Sequence, residues 1–506
     1  MDISEPALVA HFFFSLTSAA DTADPGFGPS AWRTDVQPLW DRCFALGITD
    51  PLPGAEWSVV LPERLPDDEG FRVVAAGTRA GPGVVQAVLY RYQDVLGLTV
   101  LLAPSGMGSW AELDDEWPHD LSGTLGTVRL YVGLVSGRLT PVTADRAVSP
   151  QHPGLAWHML RSGAALAPLR DVPTATGAAA ERSAVLLGRA DREAALYELC
   201  WADGDRPGLQ PLTRYFLNAA RLRYQARVYD RDQRHYRRAK TSAEQCARQL
   251  TRLLELAGRP GAGLASRELV AGQSALLVSM TQTNGVVGAL GSLLTMRRAA
   301  QGFTDALCRA LGISPRDPPP TGTVPGADLA LAGWLDDRIE SDIALLTVVR
   351  DTAGEVSATA GSLVRDLLGA REQRVTVVQT SLLGGLVMAL AAIQSFGIRM
   401  DVPGPMQTPM VFVLGALAVT APILALRLAQ WLPGVSFGPL VPWTVGGLGC
   451  CLGWLAMGWA TAAGHVVTPG WTVGVSLASG ALSAGGVLAA GRLRAALVSG
   501  RFRRTD

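Results

Sequence analysis

The stretch VTVVQTSLLGGLVMALAAIQSF, residues 375–396, opens a series of four apolar runs in the last quarter of the chain. The other three are Thr408–Leu426, Leu440–Ala463 and Trp471–Ala490, and none of the four contains Asp, Glu, Lys or Arg. About 20 predominantly apolar residues in a helix span the ~30 Å hydrocarbon core of a bilayer. The sequence therefore predicts a C-terminal bundle of about four transmembrane helices within residues 375–491.

Basic residues flank these runs, and the positions that orient them are Arg371, Arg374, Arg427, Arg492 and Arg494. Arg and Lys in short flanks are retained on the cytoplasmic side of a membrane. This pattern predicts a multi-pass protein of the cell membrane. Its N-terminal domain and its C-terminus, a basic tail over residues 492–506, are both expected in the cytoplasm.

Small residues recur inside the runs at four-residue spacing, which lets helix backbones approach closely. They are Ser381, Gly385 and Ala389, then Gly449 and Gly453, then Ser476, Gly480 and Ala484. Helix packing is one interpretation, and chance in a chain with 56 glycines is the other. The runs lack the ionisable side chains that ion pathways usually need, so sequence does not separate a pore from an anchor.

Residues 1–205 predict an α+β soluble domain, which begins with a buried strand at Ala7–Leu16 and a helix at Ala31–Leu46. A hairpin is predicted from Val84–Tyr92 and Leu96–Leu102. Further strands are predicted at Trp57–Leu61, Phe71–Ala76, Thr127–Val135, Ser183–Leu187 and Ala194–Trp201. Consecutive antiparallel pairs with helices on one face are the simplest arrangement of such elements.

Residues 206–374 predict a long helical or coiled-coil stalk with a Pro/Gly hinge near 316–326. Apolar residues seven apart form a seam between Pro211 and Ala257, and Asp328 is expected to cap a second long helix. The seam residues are Tyr215, Leu222, Tyr229, Tyr236 and Leu250 on the first helix, and Ile339 and Leu346 on the second. Such a seam predicts a homo-oligomer. The uncharged segment 271–296 is interpreted as a helix of this bundle, with a further membrane span as the alternative.

The remaining faces of the first long helix are rich in arginine. A solvated face and a surface for an acidic partner or an anionic leaflet are both compatible with this composition. These arginines are Arg221, Arg223, Arg227, Arg231, Arg234, Arg237 and Arg238.

Motifs of known chemistry are missing from the sequence. The six cysteines form no CxxC pair, and the six histidines form no HExxH motif. The formal net charge is zero, which gives no overall basic excess for nucleic acid. We therefore predict a chain that is not an enzyme and that takes no metal, cofactor or nucleic acid.

The layout carries a family resemblance in four quoted stretches. They are LVAHFFFSL, VLYRYQDVLGLTVLLA, SWAELDDEW and RYFLNAARLRYQARVY. Together they resemble the CATRA-type proteins, the caspase and TPR repeat-associated proteins of bacterial conflict systems. The resemblance implies an adaptor or effector role in immunity or self-killing, beside a caspase-like peptidase or a TPR protein. It supplies no catalytic residues.

A soluble domain followed by long helices and membrane helices is also similar to CorA-type magnesium channels, so an ion channel or transporter is the alternative. That family carries a Gly-Met-Asn signature after its first span. Here the equivalent segment is Gly397-Ile398-Arg399-Met400-Asp401, which lacks the signature.

Overall fold

The computed structural model describes residues 3–16, 31–53, 57–66, 70–105, 109–115, 124–148, 152–171, 179–201, 208–257, 266–314, 316–399, 408–416, 420, 440–466 and 468–502. The chain divides into two compact units, Met1–Ala360 and Gly361–Asp506. Each unit is described by itself.

The first unit begins with an eight-stranded mixed sheet in the order β2-β3-β4-β1-β5-β8-β7-β6. The strands are β1 Ile3–Ser15, β2 Arg72–Thr78, β3 Gly83–Tyr92, β4 Val95–Pro104, β5 Gly126–Val135, β6 His158–Met159, β7 Ala165–Asp171 and β8 Glu181–Arg189. Strands β5 and β8 pair in parallel, and the other pairs are antiparallel.

This topology corrects the predicted series of consecutive antiparallel pairs. The first strand lies in the middle of the sheet, between β4 and β5, and β5–β8 is a parallel pair. Residues 57–61 form no strand. The strand predicted at Ala194–Trp201 is wrong, because residues Glu193–Cys200 form a helix. Glu, Ala and Leu favour a helix when no strand partner is available.

Helices cover both faces of the sheet, whereas one face was predicted. The shorter helices are α1 Ala31–Ala45, α2 Trp110–Asp115, α3 Pro141–Val148 and α4 Glu193–Cys200. Side chains of β1 alternate between the faces: Phe12 and Phe14 belong to the core that includes Trp40 of α1. His11 points the other way and lies 6.2 Å, centroid to centroid, from Phe216 of the long helix that follows the sheet.

The helices that follow the sheet form a bundle. They are α5 Pro211–Ala257, α6 Ser266–Thr281, α7 Val286–Leu311 and α8 Val324–Arg399, of which residues 324–360 belong to the first unit. Helices α5 and α8 run parallel, because the contacts Tyr215–Asp328 and Tyr229–Asp342 share one offset of 113 residues. The α6–α7 layer runs the opposite way: Gly272 lies beside Leu250, whereas Phe303 lies beside Arg221. Segment 271–296 is therefore not one helix, since α6 ends at Thr281 and α7 begins at Val286.

The residues of the predicted seam are buried inside this one chain. The fraction exposed is 5 % or less for each of Tyr215, Leu222, Tyr229, Tyr236, Leu250, Ile339 and Leu346. The heptads thus form the core of an intramolecular bundle. Association between copies would have to use the outward faces of the same helices.

The prediction of about four transmembrane helices is wrong. Among the residues that the structure describes, two helices are long and apolar enough to cross a membrane, within Val445–Ala462 and Pro469–Ala489. They belong to α9 Leu440–Ala462 and α10 Pro469–Phe502. The run 375–396 is instead the end of α8, a 76-residue helix that begins in the bundle. Only 408–416 and 420 of the second run are described. A hydropathy pattern reports only the length and the composition of an apolar run. The end of a long continuous helix can have the same length and composition as a membrane span.

Candidate functional site: a buried charge cluster between sheet and bundle

Three elements meet at a carboxylate near the start of α8. Asp328 is 0 % exposed, and its neighbours are Arg182 on β8 and Arg223 and Tyr215 on α5. These residues are 146, 105 and 113 positions away in sequence. The cluster therefore joins the sheet to two helices of the bundle.

Both arginines donate to this carboxylate. Arg182 Nη1 lies 2.8 Å from Oδ2 and 3.1 Å from Oδ1, while Arg223 Nε lies 3.0 Å and Nη2 2.9 Å from Oδ1. The Tyr215 hydroxyl donates to Oδ2 in a short hydrogen bond and also lies 3.4 Å from the Val324 carbonyl oxygen. Charge-assisted bonds of this kind are about twice as strong as neutral ones.

Opposing effects set the protonation state of the cluster. Burial raises the pKa of Asp328, but the charges of Arg182 and Arg223 and the Tyr215 hydrogen bond outweigh it, so the pKa falls below 3.8. Burial, followed by the Asp328 charge, holds the pKa of Tyr215 well above 10. The carboxylate is therefore charged and the phenol protonated throughout the physiological range.

Sequence reasoning missed this cluster. Asp328 was expected to cap α8, but that helix begins at Val324 and the side chain points into the junction. Arg223 belongs to the arginines for which the sequence leaves a solvated face and a partner surface open, and it is 2 % exposed. The available signal was Arg182, a charge within the apolar strand β8, because a buried charge requires a partner.

Two more arginines of the same group contact the sheet domain. Arg221 pairs with Asp94 and donates to Gln93 Oε1 at 3.2 Å, at the tip of the β3–β4 hairpin. The structure thus confirms the predicted hairpin and places its turn against α5. Arg227 Nη2 donates to the Leu125 carbonyl oxygen at 2.7 Å.

A second buried arginine lies inside the sheet domain. Arg129 of β5 is 1 % exposed and contacts Asp114 of α2 at 2.5 Å and Glu181 of β8 at 3.0 Å. Burial, followed by the Asp114 hydrogen bond, raises the pKa of Tyr131 beside it. The pair Arg129–Asp114 fixes α2 on the sheet.

The buried nucleophiles are held in unreactive states. Burial raises the pKa of the Cys43 and Cys200 thiols to about 12, so neither forms a thiolate near pH 7. Burial lowers the pKa of His11 to about 3, and its Nδ1 lies 2.9 Å from Thr99 Oγ1. Within the described residues no group of three or more His, Cys, Asp or Glu is placed to hold a metal ion.

Several predicted packing residues lie between α9 and α10. A Cβ added to Gly480 would lie 2.2 Å from Cys450 Sγ, and one added to Gly449 would lie 2.4 Å from Ser483 Oγ. At Gly453 the added atom would lie 3.1 Å from the Cα of Ser476. Ala484 lies in the same contact, against Gly446. The two backbones therefore approach as small-xxx-small helices do.

The other predicted positions in the second unit carry no side-chain description. Ser381, Gly385, Ala389, Arg371 and Arg374 lie in α8, and Arg492 and Arg494 lie in α10, as backbone only. Arg427 and residues 400–407, which include part of the segment compared with Gly-Met-Asn, lie outside the described residues.

Comparison with known families matches most of the chain. Residues 7–204 match the CASPASE and TPR Repeat-Associated N-terminal domain, and residues 210–353 match the corresponding C-terminal domain. No curated protein and no solved structure matches. The buried cluster joins the two matched regions, since Arg182 belongs to the first and Asp328 to the second. These domains indicate association with caspase and TPR conflict systems. The chain belongs to the caspase and TPR repeat-associated (CATRA) family.

Proposed function

We propose that this protein is a non-enzymatic, membrane-anchored adaptor or effector that binds a caspase-like peptidase or a TPR protein of a conflict system. The observation that carries the proposal is the Arg182–Asp328–Arg223 cluster, which links the two family domains. A partner that contacts either domain would then bind a preorganised surface, which lowers the entropic cost of binding.

Support for a non-enzymatic role comes from the state of the buried reactive groups. The Cys43 and Cys200 thiols are protonated, and His11 is neutral and fixed against Thr99. Nucleophilic catalysis needs a thiolate or an activating base within hydrogen-bond reach. These groups are instead part of the core.

Helices α9 and α10 are the proposed anchor. Each contains a stretch that is apolar enough to span a bilayer, and their small residues pack closely together. Two spans place both flanks on one side of the membrane. Arg492 and Arg494 follow the second span, so the positive-inside rule puts the N-terminal domain and the C-terminus in the cytoplasm.

Two measurements on the full-length protein test this proposal. Membranes washed with alkaline carbonate should retain the chain, and its release into the wash would contradict anchoring. Tagged protein extracted in mild detergent should co-purify with a caspase-like peptidase or a TPR protein expressed from neighbouring genes. An unrelated detergent-solubilised membrane protein with the same tag is the control. Recovery of no such partner would contradict the adaptor role.

A further inference from the structure

The outward face of α5 carries a row of exposed arginines, here called the arginine stripe. Its residues are Arg231, Arg234, Arg237, Arg238, Arg248 and Arg252, and all six are exposed. The opposite face of the same segment is buried and includes Tyr236, Ala243 and Leu250. At 100° per residue the six arginines fall within an arc of about 120°. The stripe is therefore one surface, about 32 Å long.

Most of the arginine stripe forms no ion pair with the part of the chain that the structure describes. Arg231 contacts the adjacent Asp232 at 2.9 Å, and Arg248 contacts Glu244 at 3.4 Å. The other four, Arg234, Arg237, Arg238 and Arg252, make no ion pair with any residue that the structure describes. Guanidinium groups in this state are suited to carboxylates on another surface.

The outward face of α8 carries an acidic counterpart, here called the acidic stripe. It consists of Asp337, Glu340, Asp351 and Glu355, all exposed, with Val348 between them at 64 % exposure. The opposite face of α8 is buried through Leu335, Ile339, Leu346 and Ala353. Glu340 also accepts from Arg297 at 2.9 Å, and Asp351 pairs with Arg350 at 2.8 Å. Within the described residues, Asp337 and Glu355 form no ion pair.

The two stripes have the same spacing. Steps of 3, 11 and 4 residues separate Arg234, Arg237, Arg248 and Arg252, and the same steps separate Asp337, Glu340, Asp351 and Glu355. With a rise of 1.5 Å per residue, four opposite charges therefore match in height over about 27 Å when the helices run parallel. In this match each acidic residue of α8 is numbered 103 higher than the arginine of α5 that it faces.

The same chain cannot make this match. Its own α5 and α8 already contact each other at an offset of 113 residues, through buried faces that point away from both stripes. A surface with the required charges and spacing is, however, present on every other copy of the chain. Complementary charge of this kind selects a partner and fixes its register.

We propose that the arginine stripe of one copy binds the acidic stripe of a second copy, with α5 and α8 parallel and in the 103-residue register. The pairs are Arg234–Asp337, Arg237–Glu340, Arg248–Asp351 and Arg252–Glu355. Because the two stripes are different surfaces, the contact is head-to-tail and builds a ring or a filament of parallel copies. Exposed ion pairs are screened by salt, so the assembly dissociates as ionic strength rises.

A charge exchange on the full-length protein in detergent tests this interface. Variant A carries Arg234→Glu and Arg252→Glu, variant B carries Asp337→Arg and Glu355→Arg, and variant AB carries all four. We expect wild type to exceed the mass of one chain at 50 mM salt by light scattering. Variants A and B should each weaken self-association roughly tenfold or more, because attraction becomes repulsion at two of four pairs.

Restoration distinguishes pairing from a general charge effect. Variant AB, and an equimolar mixture of A and B, should recover the wild-type mass, because each reversed stripe again faces its opposite. Arg298→Glu with Arg309→Glu makes the same change in net charge as variant A, on exposed positions of α7, and should leave the wild-type mass unchanged. All variants should keep the wild-type melting temperature in high salt, where every copy is dissociated and assembly no longer adds to stability.

Several results would overturn the interface. They are a monomeric wild type at 50 mM salt, a variant A with wild-type mass, or a folded AB that stays monomeric. Binding of a monomeric chain to anionic vesicles through the arginine stripe would also overturn it, in favour of a lipid surface. None of these outcomes depends on which conflict-system partner binds.

Discussion

Replacing Asp328 by Asn tests the junction cluster with the least change in shape. The variant keeps the side-chain volume but removes the negative charge that Arg182 and Arg223 both contact. An amide can accept only some of the hydrogen bonds that they and Tyr215 donate. Removing one partner of a buried ion pair costs about 3–5 kcal/mol. That is a large fraction of a typical unfolding free energy of about 5–15 kcal/mol.

Thermal and denaturant unfolding of the full-length protein in detergent measure this cost. Asp305→Asn on the exposed face of α7 is the matched control and should change stability by less than about 0.5 kcal/mol. Because the pKa of Asp328 lies below 3.8, its carboxylate is charged from pH 5 to 8 and the cost should be constant over that range. A loss no larger than that of the control would show that the buried charge does not stabilise the junction. Additive effects of Asp328→Asn and Arg182→Gln would show the same.

Two further predictions concern other parts of the chain. Gly480→Leu should destabilise the α9–α10 pair by about 1–3 kcal/mol, because its added carbon meets Cys450 Sγ. Gly485→Leu is the control, with open space around its Cβ, and equal melting temperatures for the two variants would contradict the packing. His11 has a pKa of about 3 when folded and about 6.5 when unfolded, so the unfolded state binds more protons and stability falls as pH drops below 6.5. Between pH 7 and 5 this protonation lowers the unfolding free energy of the wild type by about 2 kcal/mol. His11→Asn, which keeps an amide near Thr99, should abolish that loss, and a pH profile equal to that of the wild type would exclude this assignment.

Local patterns in the sequence predicted local structure well. The α5 helix from Pro211 to Ala257 and the β3–β4 hairpin both follow from periodicity and turn chemistry. The heptad residues lie on a buried, largely apolar face. Their partner was not determined by the pattern, because the same period serves a coiled coil between chains and a bundle within one.

Features that depend on distant residues were not predictable. Strand β1 lies between β4 and β5, and β5 pairs in parallel with β8. Each of these contacts joins residues more than 50 positions apart in the sequence. The Arg182–Asp328 contact spans 146 positions, so no local window contains both charges. The predicted number of membrane helices was wrong for a related reason. A hydropathy count treats each apolar run alone and ignores the continuity of the run at 375–396 with the rest of α8.

The proposed role of this CATRA protein is to bind a caspase-like peptidase or a TPR protein. Titration of the full-length chain, reconstituted in nanodiscs, with purified candidate partners of both classes measures that binding. We predict saturable one-site binding to at least one of them, weakened by Asp328→Asn and unaffected by Asp305→Asn. No binding to either class, together with selective cation flux by the isolated protein in liposomes, would contradict the account.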